Sequence, residues 1–371
     1  MILLYQKKNK VFFVVLILTL LVLVYFVHPT NRNSYVQAYD SSYTVTVLET
    51  LGGRLGLSKD NIVAFDSKGT DGYYDLYTMQ WGDSNQNCLT HESKSIPQKH
   101  NGNPSWHPDG NCIVFQSVDP SLQGLPPRYH DIEMALTGPG AGVNNNLWIT
   151  DKKGSVFYQL THVTDKNGVL HPHFSHDGKK LLWSEMIDHT QKPSGKWVIR
   201  IGDIDIQDNG AKLQNVITLQ PQNMKFYETH GFSPDDQTIL FSGSPSGYYG
   251  RMDIYEYNLH TEKLVRLTGP DFEWDEHAHY SPDGEKIVWM SSKDIPQKIQ
   301  QYKVKTDYWI MDRNGKNKQR LTYFNYPQSE YCVPGGVAAA DCDWFKDGSG
   351  VIGYLIFRQG QQDYNVLIEW K

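Results

Sequence analysis

The feature that most constrains the fold is a short pattern that occurs five times: an aromatic residue, a turn rich in proline, aspartate and glycine, and an apolar run. The clearest copy is DEHAHYSPDGEKIVWMS at residues 275–291. The other copies are NPSWHPDGNCIVFQS (103–117), HPHFSHDGKKLLWSE (171–185), THGFSPDDQTILFSG (229–243) and DCDWFKDGSGVIGYLIF (341–357). A spacing of roughly 45 to 70 residues indicates an array of like units rather than one irregular domain.

Each copy predicts a β-hairpin. Its turn has proline at the first central position, then aspartate or asparagine, then a glycine that can adopt positive φ. We name the strand before the turn A and the apolar strand after it B. Most units continue with a strand C and a strand D that ends in Leu-Thr, such as MDIYEYN (252–258) and VRLTG (265–269). Four antiparallel strands that cannot bury both faces alone predict a blade of a β-propeller.

The units predict six blades and an all-β fold. Residues 55–65 form a degenerate A–B hairpin for the first blade, whereas the last unit ends before a D strand. The segment YTVTVLE (43–49) precedes the first blade and alternates polar and apolar residues. We expect it to supply the missing D strand, because closing the ring removes an exposed sheet edge.

The hairpins containing SPDG, followed by D-I-Y or D-Y-W and then R-L-T, resemble the WD40-like (PD40) repeats of the TolB propeller family. The resemblance covers residues 43–371 and implies a six-bladed ring of four-stranded antiparallel blades. Propellers of this kind serve as protein-binding rings, as gating domains of peptidases and as the body of oligogalacturonate lyases. The resemblance therefore implies a fold more narrowly than a function.

The N-terminus contains a candidate membrane anchor. Residues 11–27 carry no charge over 17 positions, which is the short end of the range for a membrane-spanning helix. Lys7, Lys8 and Lys10 precede this segment, whereas only Arg32 follows it closely. The charge bias predicts a cytoplasmic tail (1–10), a single-pass signal anchor (11–28), a tether (29–42) and an extracytoplasmic propeller (43–371), periplasmic, lumenal or extracellular. A cleaved signal peptide is the alternative.

Charge and cysteine content limit the possible partners and the cellular compartment. The net charge of −6 and the lack of a basic stretch argue against nucleic acid as a partner. Four cysteines suit an oxidising compartment. Strand order places Cys332 and Cys342 near one face of the ring and Cys88 and Cys112 near the other, which predicts these two disulfides. Four unpaired thiols are the alternative.

The A strands carry the strongest chemical signal, because the A strand of a propeller blade borders the central channel. Alternate residues of a strand point the same way, so His171 with His173, and His277 with His279, form two same-side pairs. With Asp343 they offer donors suited to Zn²⁺ or Mn²⁺. Two other interpretations stay open: histidines that line the channel and bind water, and direct contacts with a polar ligand.

Further residues are candidate ligand contacts. The insertion at 118–143 is expected to overhang the channel on the face of the B-to-C loops, which we take as the working face. Glu228 and His230 have the opposite strand parity and are expected to flank the site. The full set of candidate ligand contacts is Arg54, Asn103, Arg128, Tyr129, Glu228, His230, Glu276 and Asp341.

Two functions follow. The first is a membrane-anchored propeller that binds a protein or glycan partner on its channel face. The second is a metal-dependent enzyme on acidic carbohydrate, in which a histidine or arginine removes a proton. It rests on a weaker resemblance to oligogalacturonate lyases, which hold a divalent metal with a His-x-His arrangement like that of His277 and His279. Trp274 stands where those lyases have a glutamine ligand, and no catalytic residue is assigned.

Overall fold

The computed structural model describes residues 36–37, 42–48, 52–91, 93–122, 127–269, 272–300, 303–329, 331–357 and 363–371. Strands dominate these residues. The one α-helix among them, α1 (His130–Thr137), lies in the insertion that we expected to be irregular, after a 3-10 turn at Pro127–Tyr129. Two more 3-10 turns lie at Pro221–Asn223 and Tyr249–Arg251. No helix of the described residues is long and apolar enough to span a bilayer, and the predicted anchor at 11–28 lies outside them.

Six antiparallel sheets form the six predicted blades. Blade 1 contains β3 (Leu55–Leu57), β4 (Ile62–Lys68), β5 (Tyr74–Gln80) and β6 (Asn87–Cys88). Blade 2 contains β7 (Asn101–Trp106), β8 (Cys112–Val118), β9 (Asn145–Asp151) and β10 (Phe157–Gln159). Blade 3 contains β11 (Gly168–Phe174), β12 (Lys180–Asp188), β13 (Lys196–Gln207) and β14 (Gly210–Leu219). Blades 4 and 5 contain β15 (Phe226–Phe232), β16 (Thr238–Ser244), β17 (Asp253–Asn258), β18 (Leu264–Arg266); and β19 (Asp275–Tyr280), β20 (Lys286–Ser291), β21 (Asp307–Asp312), β22 (Gln319–Arg320). Blade 6 contains β23 (Val337–Trp344), β24 (Gly350–Phe357) and β25 (Tyr364–Trp370).

The N-terminal strand closes the ring as predicted. β2 (Tyr43–Leu48) pairs antiparallel with β25 and is the outermost regular strand of blade 6. A short strand β1 (Val36–Gln37) then pairs with β2 as a fifth strand. These two residues lie within the predicted tether at 29–42. The backbone hydrogen bonds between β2 and β25 thus hold the N-terminal strand, which precedes blade 1 in the chain, in the sheet of blade 6.

The turns form as the sequence predicts. In blade 5 the Ser281 hydroxyl donates to Asp283 Oδ1 (2.5 Å), and the same carboxylate accepts Glu285 N–H (3.0 Å). Asp283 is thus a turn former. Asp307 ties its C strand to a neighbouring segment, because its buried carboxylate accepts the Thr322 hydroxyl (3.1 Å) and Phe324 N–H (2.9 Å).

Apolar side chains fill the spaces between neighbouring blades. One cluster joins Leu240 and Ile254 of blade 4 to Ala278, Ile287 and Trp289 of blade 5, and all five are at most 1% exposed. Burying a large apolar side chain contributes about 1.5–3 kcal/mol. The blades are therefore held together by their flat faces, and the innermost strands are free to carry polar residues.

A one-residue β-bulge interrupts the A strand of blades 2 to 6. In β11 the pairing shifts between Leu170 and His173, and in β19 between Glu276 and His279. The bulge residues His171 and His277 have φ of 47° and 51°, in the left-handed region that non-glycine residues seldom adopt. Bulges re-aim side chains and are common near functional sites. Here they break the strict alternation that the sequence argument assumed.

The predicted disulfides do not form, since all four cysteines are free. The buried Cys342 thiol faces blade 5 and donates to the His277 carbonyl (3.6 Å), and therefore does not face Cys332. Cys112 packs against the cluster between blades 2 and 3, whereas Cys88 lies on the outer strand of blade 1, where its Sγ accepts His91 N–H (3.4 Å). The members of each predicted pair thus point into different surroundings.

Candidate metal centre at the propeller axis

Side chains from opposite blades meet at the axis. His171 lies on the A strand of blade 3 and Asp341 on that of blade 6, and their Nδ1 and Oδ1 atoms are only 3.7 Å apart. Both residues are less than 10% exposed. The side chains of the A strands therefore close the channel at this level.

Two imidazoles and two carboxylates form the centre of this layer. His277 Nδ1 lies 3.4 Å from Asp341 Oδ1 and 3.7 Å from Glu228 Oε1. His171 Nε2 lies 3.2 Å from the same Glu228 oxygen, and the two histidine rings have centroids 5.2 Å apart. Blades 3, 4, 5 and 6 thus each bring one of these groups to a common space.

His230 joins the cluster because of the bulge in β15, where the pairing shifts between Thr229 and Gly231. Its ring lies 5.7 Å from that of His277, and its Nε2 contacts the Ser242 hydroxyl at 2.6 Å. Nitrogen and oxygen atoms within 4.8 Å of one another then define two overlapping groups that share His277: His171, His277 and Asp341, and Glu228, His230 and His277.

Three buried polar atoms in this cluster have no hydrogen-bond partner: Glu228 Oε1, His230 Nδ1 and His277 Nδ1. Glu228 Oε1 is near His171 Nε2 but is not aligned for a hydrogen bond. Leaving a buried polar atom unpaired costs about 1–3 kcal/mol, so three at one place need an explanation. A bound cation that accepts their lone pairs satisfies all three.

The protonation states suit a cation. Burial lowers the pKa of His171 and of His277, so both rings are neutral near pH 7, the form that binds metals. Burial opposes ionisation of Asp341 as well, but the neighbouring His277, His171 and Arg54 outweigh it and lower the pKa of Asp341 to about 2. Burial, with Glu276 and Asp341 close by, raises the pKa of Glu228. Burial therefore favours the protonated form of Glu228 when no cation is bound.

The part of the same layer contributed by blades 1 and 2 is different. Arg54 Nη1 lies 3.4 Å from Asp66 Oδ2, and that oxygen also accepts Asn103 N–H (2.9 Å). The Asn103 side-chain amide donates to Gln116 Oε1 (2.7 Å), and Gln116 donates to the Val169 carbonyl (3.0 Å). This region is a hydrogen-bonded network with its charges paired.

The predicted ligand set needs correction at three residues. Asp343 does not point its carboxylate at the cluster, because its two oxygens accept hydrogen bonds from Leu57 N–H (2.7 Å) and Trp344 N–H (2.8 Å). His173 and His279 do not reach the central group and instead pack against each other, with centroids 5.7 Å apart. The bulges cause the error. A bulge adds one residue to the strand, so side chains two positions apart across it no longer point in the same direction.

The remaining candidates are divided between the layer and the surface. Glu276 Oε2 lies 4.0 Å from His277 Nε2 inside the cluster. Arg128 and Tyr129 lie exposed on the insertion, where the guanidinium covers the tyrosine ring at 4.9 Å. The insertion approaches the layer at Gly140 instead, since a Cβ there would collide with the Arg54 guanidinium.

Sequence reasoning missed the B-strand residues that support the layer. Ser184 Oγ accepts Thr229 N–H (2.9 Å), a role that parallels those of Asp66 and Gln116. The sequence did contain a signal for these residues, because each is a polar residue that directly follows the aromatic residue of an otherwise apolar B strand. The four residues at this position are Asp66, Gln116, Ser184 and Ser242.

The fold and the site together define a six-bladed β-propeller with a buried imidazole–carboxylate cluster on its axis. No family model matches the sequence, and no curated protein matches it. Among solved structures, the chain is similar to a putative TolB from Agrobacterium tumefaciens, with a TM-score of 0.55 and 16% identity over 89% of this chain and 98% of that one. This likeness confirms the TolB-like propeller fold and concerns the fold alone.

Two further solved structures are similar. TolB from Acinetobacter baumannii has a TM-score of 0.49 and 18% identity over 83% of this chain and 66% of that one. An oligogalacturonate lyase in complex with manganese has a TM-score of 0.49 and 12% identity over 91% of this chain and 96% of that one.

Proposed function

We propose that this propeller binds a divalent cation, Zn²⁺ or Mn²⁺, at its axis. The observation that carries the proposal is the convergence of Glu228 Oε1, His230 Nδ1 and His277 Nδ1, all buried and unpaired. Neutral imidazoles and carboxylates are the donors that both metals accept. His277 would hold the ion together with His171 and Asp341 from one group of potential ligands and with Glu228 and His230 from the other.

The bound ion would supply a fixed positive charge where the chain has placed carboxyl groups out of water. His171 lies between Glu228 and Asp341 and would fix their separation. The ion would also join A strands from blades 3, 5 and 6, so binding should stabilise the closed ring by mass action.

The geometry gives less support to an enzyme that acts on acidic carbohydrate. Such an enzyme needs a histidine or arginine that is free to remove a proton, and Arg54 is the candidate arginine at the axis. In the structure Arg54 is paired with Asp66 at 3.4 Å and lies 4.0 Å from Asp341. The binding of a protein or glycan partner on the channel face, the membrane anchor and the extracytoplasmic location stay predictions.

Metal analysis of the purified full chain tests the proposal. We expect about one equivalent of Zn²⁺ or Mn²⁺ after equilibration with the ion, and a fall in melting temperature when a chelator removes it. Asp341→Asn, which keeps the shape of the side chain, should lose the ion. His260→Ala, which removes an exposed histidine from a turn of blade 4, should keep it. A wild-type chain that binds neither ion and melts unchanged with chelator contradicts the proposal.

A further inference from the structure

The axial cluster lies between two unlike surroundings. Toward the B-to-C loops, the chain that leads into the cluster contains apolar residues that are at most 5% exposed; they are Leu170, Phe226, Trp274 and Ala338. Toward the A-to-B turns, the next residues are polar and half-buried; they are Ser105, His173, His279 and Asp343. Solvent therefore approaches the cluster on the side of the turns, opposite to the face that the sequence suggested as the working face.

His173 and His279 stand at this approach. They project from blades 3 and 5, with Gly231 of blade 4 between them, and their ring centroids are 5.7 Å apart. His173 Nε2 lies 3.2 Å from the Thr229 carbonyl, which can only accept, so Nε2 carries the proton and Nδ1 keeps its lone pair.

The A-to-B turns around this approach carry an excess of acidic residues. The six A-to-B turns, at 58–61, 107–111, 175–179, 233–237, 281–285 and 345–349, contain eight aspartates and glutamates but only three lysines. Turn hydrogen bonds keep several of these aspartates ionised; the Lys179 N–H, for example, lowers the pKa of Asp177. A mouth lined by one sign of charge raises the local concentration of the opposite ion and speeds its entry. Here that ion is a cation.

We propose that a divalent cation enters from the face of the A-to-B turns and that His173 and His279 form an outer binding position on its way to the axis. This inference rests on the proposed function, because the axial cluster is the destination. The outer position differs from the axial one in exposure and in donors. It has two half-buried imidazoles, whereas the axial group adds carboxylates that are out of water.

The test measures how fast the full chain takes up Co²⁺, whose absorption reports ligation. The chain is first stripped with a chelator and then mixed with the ion in a stopped-flow instrument. His173→Ala/His279→Ala should slow loading by about tenfold or more, because the outer position no longer collects the ion. Its equilibrium affinity should fall by less than the roughly tenfold loss that follows removal of an outer partner of a metal site. His176→Ala, an exposed turn histidine on the same face, should load at the wild-type rate.

The possible outcomes separate the two proposals. Loading of the double variant at the wild-type rate overturns the outer position but leaves the axial site intact. A loss of affinity as large as that of His277→Ala also overturns it, because the two histidines would then be axial ligands. A wild-type chain that binds no cation overturns both proposals. Circular dichroism and melting of each variant establish that the compared proteins are folded.

Discussion

The two halves of the axial layer arrange their buried polar residues in opposite ways. In blades 1 and 2, which we call the paired half, Arg54, Asp66, Asn103 and Gln116 hydrogen bond one another. In blades 4 and 5, the open half, Glu228, His230 and His277 leave three buried atoms unpaired. The first arrangement satisfies its own polar atoms, whereas the second would be completed by the proposed cation.

The two halves show that burial alone does not distinguish a structural polar cluster from a candidate binding site. Asn103 and His277 occupy bulges with nearly equal φ, 54° and 51°, and are 7% and 9% exposed. The difference lies in how many partners the surrounding strands supply. Asn103 meets Asp66 and Gln116 on the neighbouring B strands, whereas Met290 stands at the corresponding B-strand position of blade 5 and offers little to His277.

The largest effect on stability should come from the paired half. In metal-free protein, Asp66→Asn should lower the free energy of unfolding by about 3–5 kcal/mol, because it removes the nearer of the two carboxylates that pair with the buried Arg54 charge. Glu228→Gln in the open half should change it by less than about 1 kcal/mol, since Glu228 Oε1 has no hydrogen-bond partner to lose. Urea unfolding in the presence of chelator measures both. Equal losses would abolish the distinction between the halves.

Metal affinity should show the reverse order. His277→Ala should weaken Zn²⁺ binding by more than the 10–100-fold that removal of an outer partner costs, because it removes a donor common to both groups of potential ligands. Asn103→Ala should leave affinity nearly unchanged. Competition with a chromogenic chelator gives both constants. The site is misassigned if Asn103→Ala weakens binding as much as His277→Ala does.

A pH dependence should belong to the open half. Burial raises the pKa of Glu276 from 4.5 to about 8. The folded protein then keeps a proton that the unfolded chain loses, so stability falls as pH rises from about 4.5 to 8, by up to about 1.4 kcal/mol per pH unit. Metal-free Glu276→Gln should lack this slope and match the wild type below pH 4.5. Parallel curves for the two proteins between pH 5 and 8 would contradict this expectation.

The smallest expected change in stability concerns the paired half. Gly140→Ala should destabilise the protein by about 1 kcal/mol, because its Cβ meets the Arg54 guanidinium and that flexible side chain can move only at the expense of its pairing with Asp66. Gly210→Ala is the matched control, since no heavy atom lies within 4 Å of its added Cβ. It should be neutral or slightly stabilising. Thermal melting distinguishes the two, and a stable Gly140→Ala would show that the insertion does not press on the layer.

Part of the site could be predicted by counting along the repeats. The position three residues before the recurring aromatic places Arg54, His171, His277 and Asp341 in one layer, and the structure does bring them together. The direction of each side chain could not be predicted, because every A strand from blade 2 to blade 6 has a bulge. A bulge adds one residue and shifts the parity. His230 therefore joins the cluster, and His173, His279 and Asp343 leave it.

The sequence by itself determined the ring: the number of blades, the turn chemistry of each hairpin and the strand that closes the circle, because these depend on local turn residues and on strand patterns that recur in each unit. Only the tertiary structure decided which axial groups are paired and which are left open. That outcome depends on bulge geometry and on contacts between residues far apart in the chain, such as His171 with Asp341. No local pattern encodes distances across the axis of a ring.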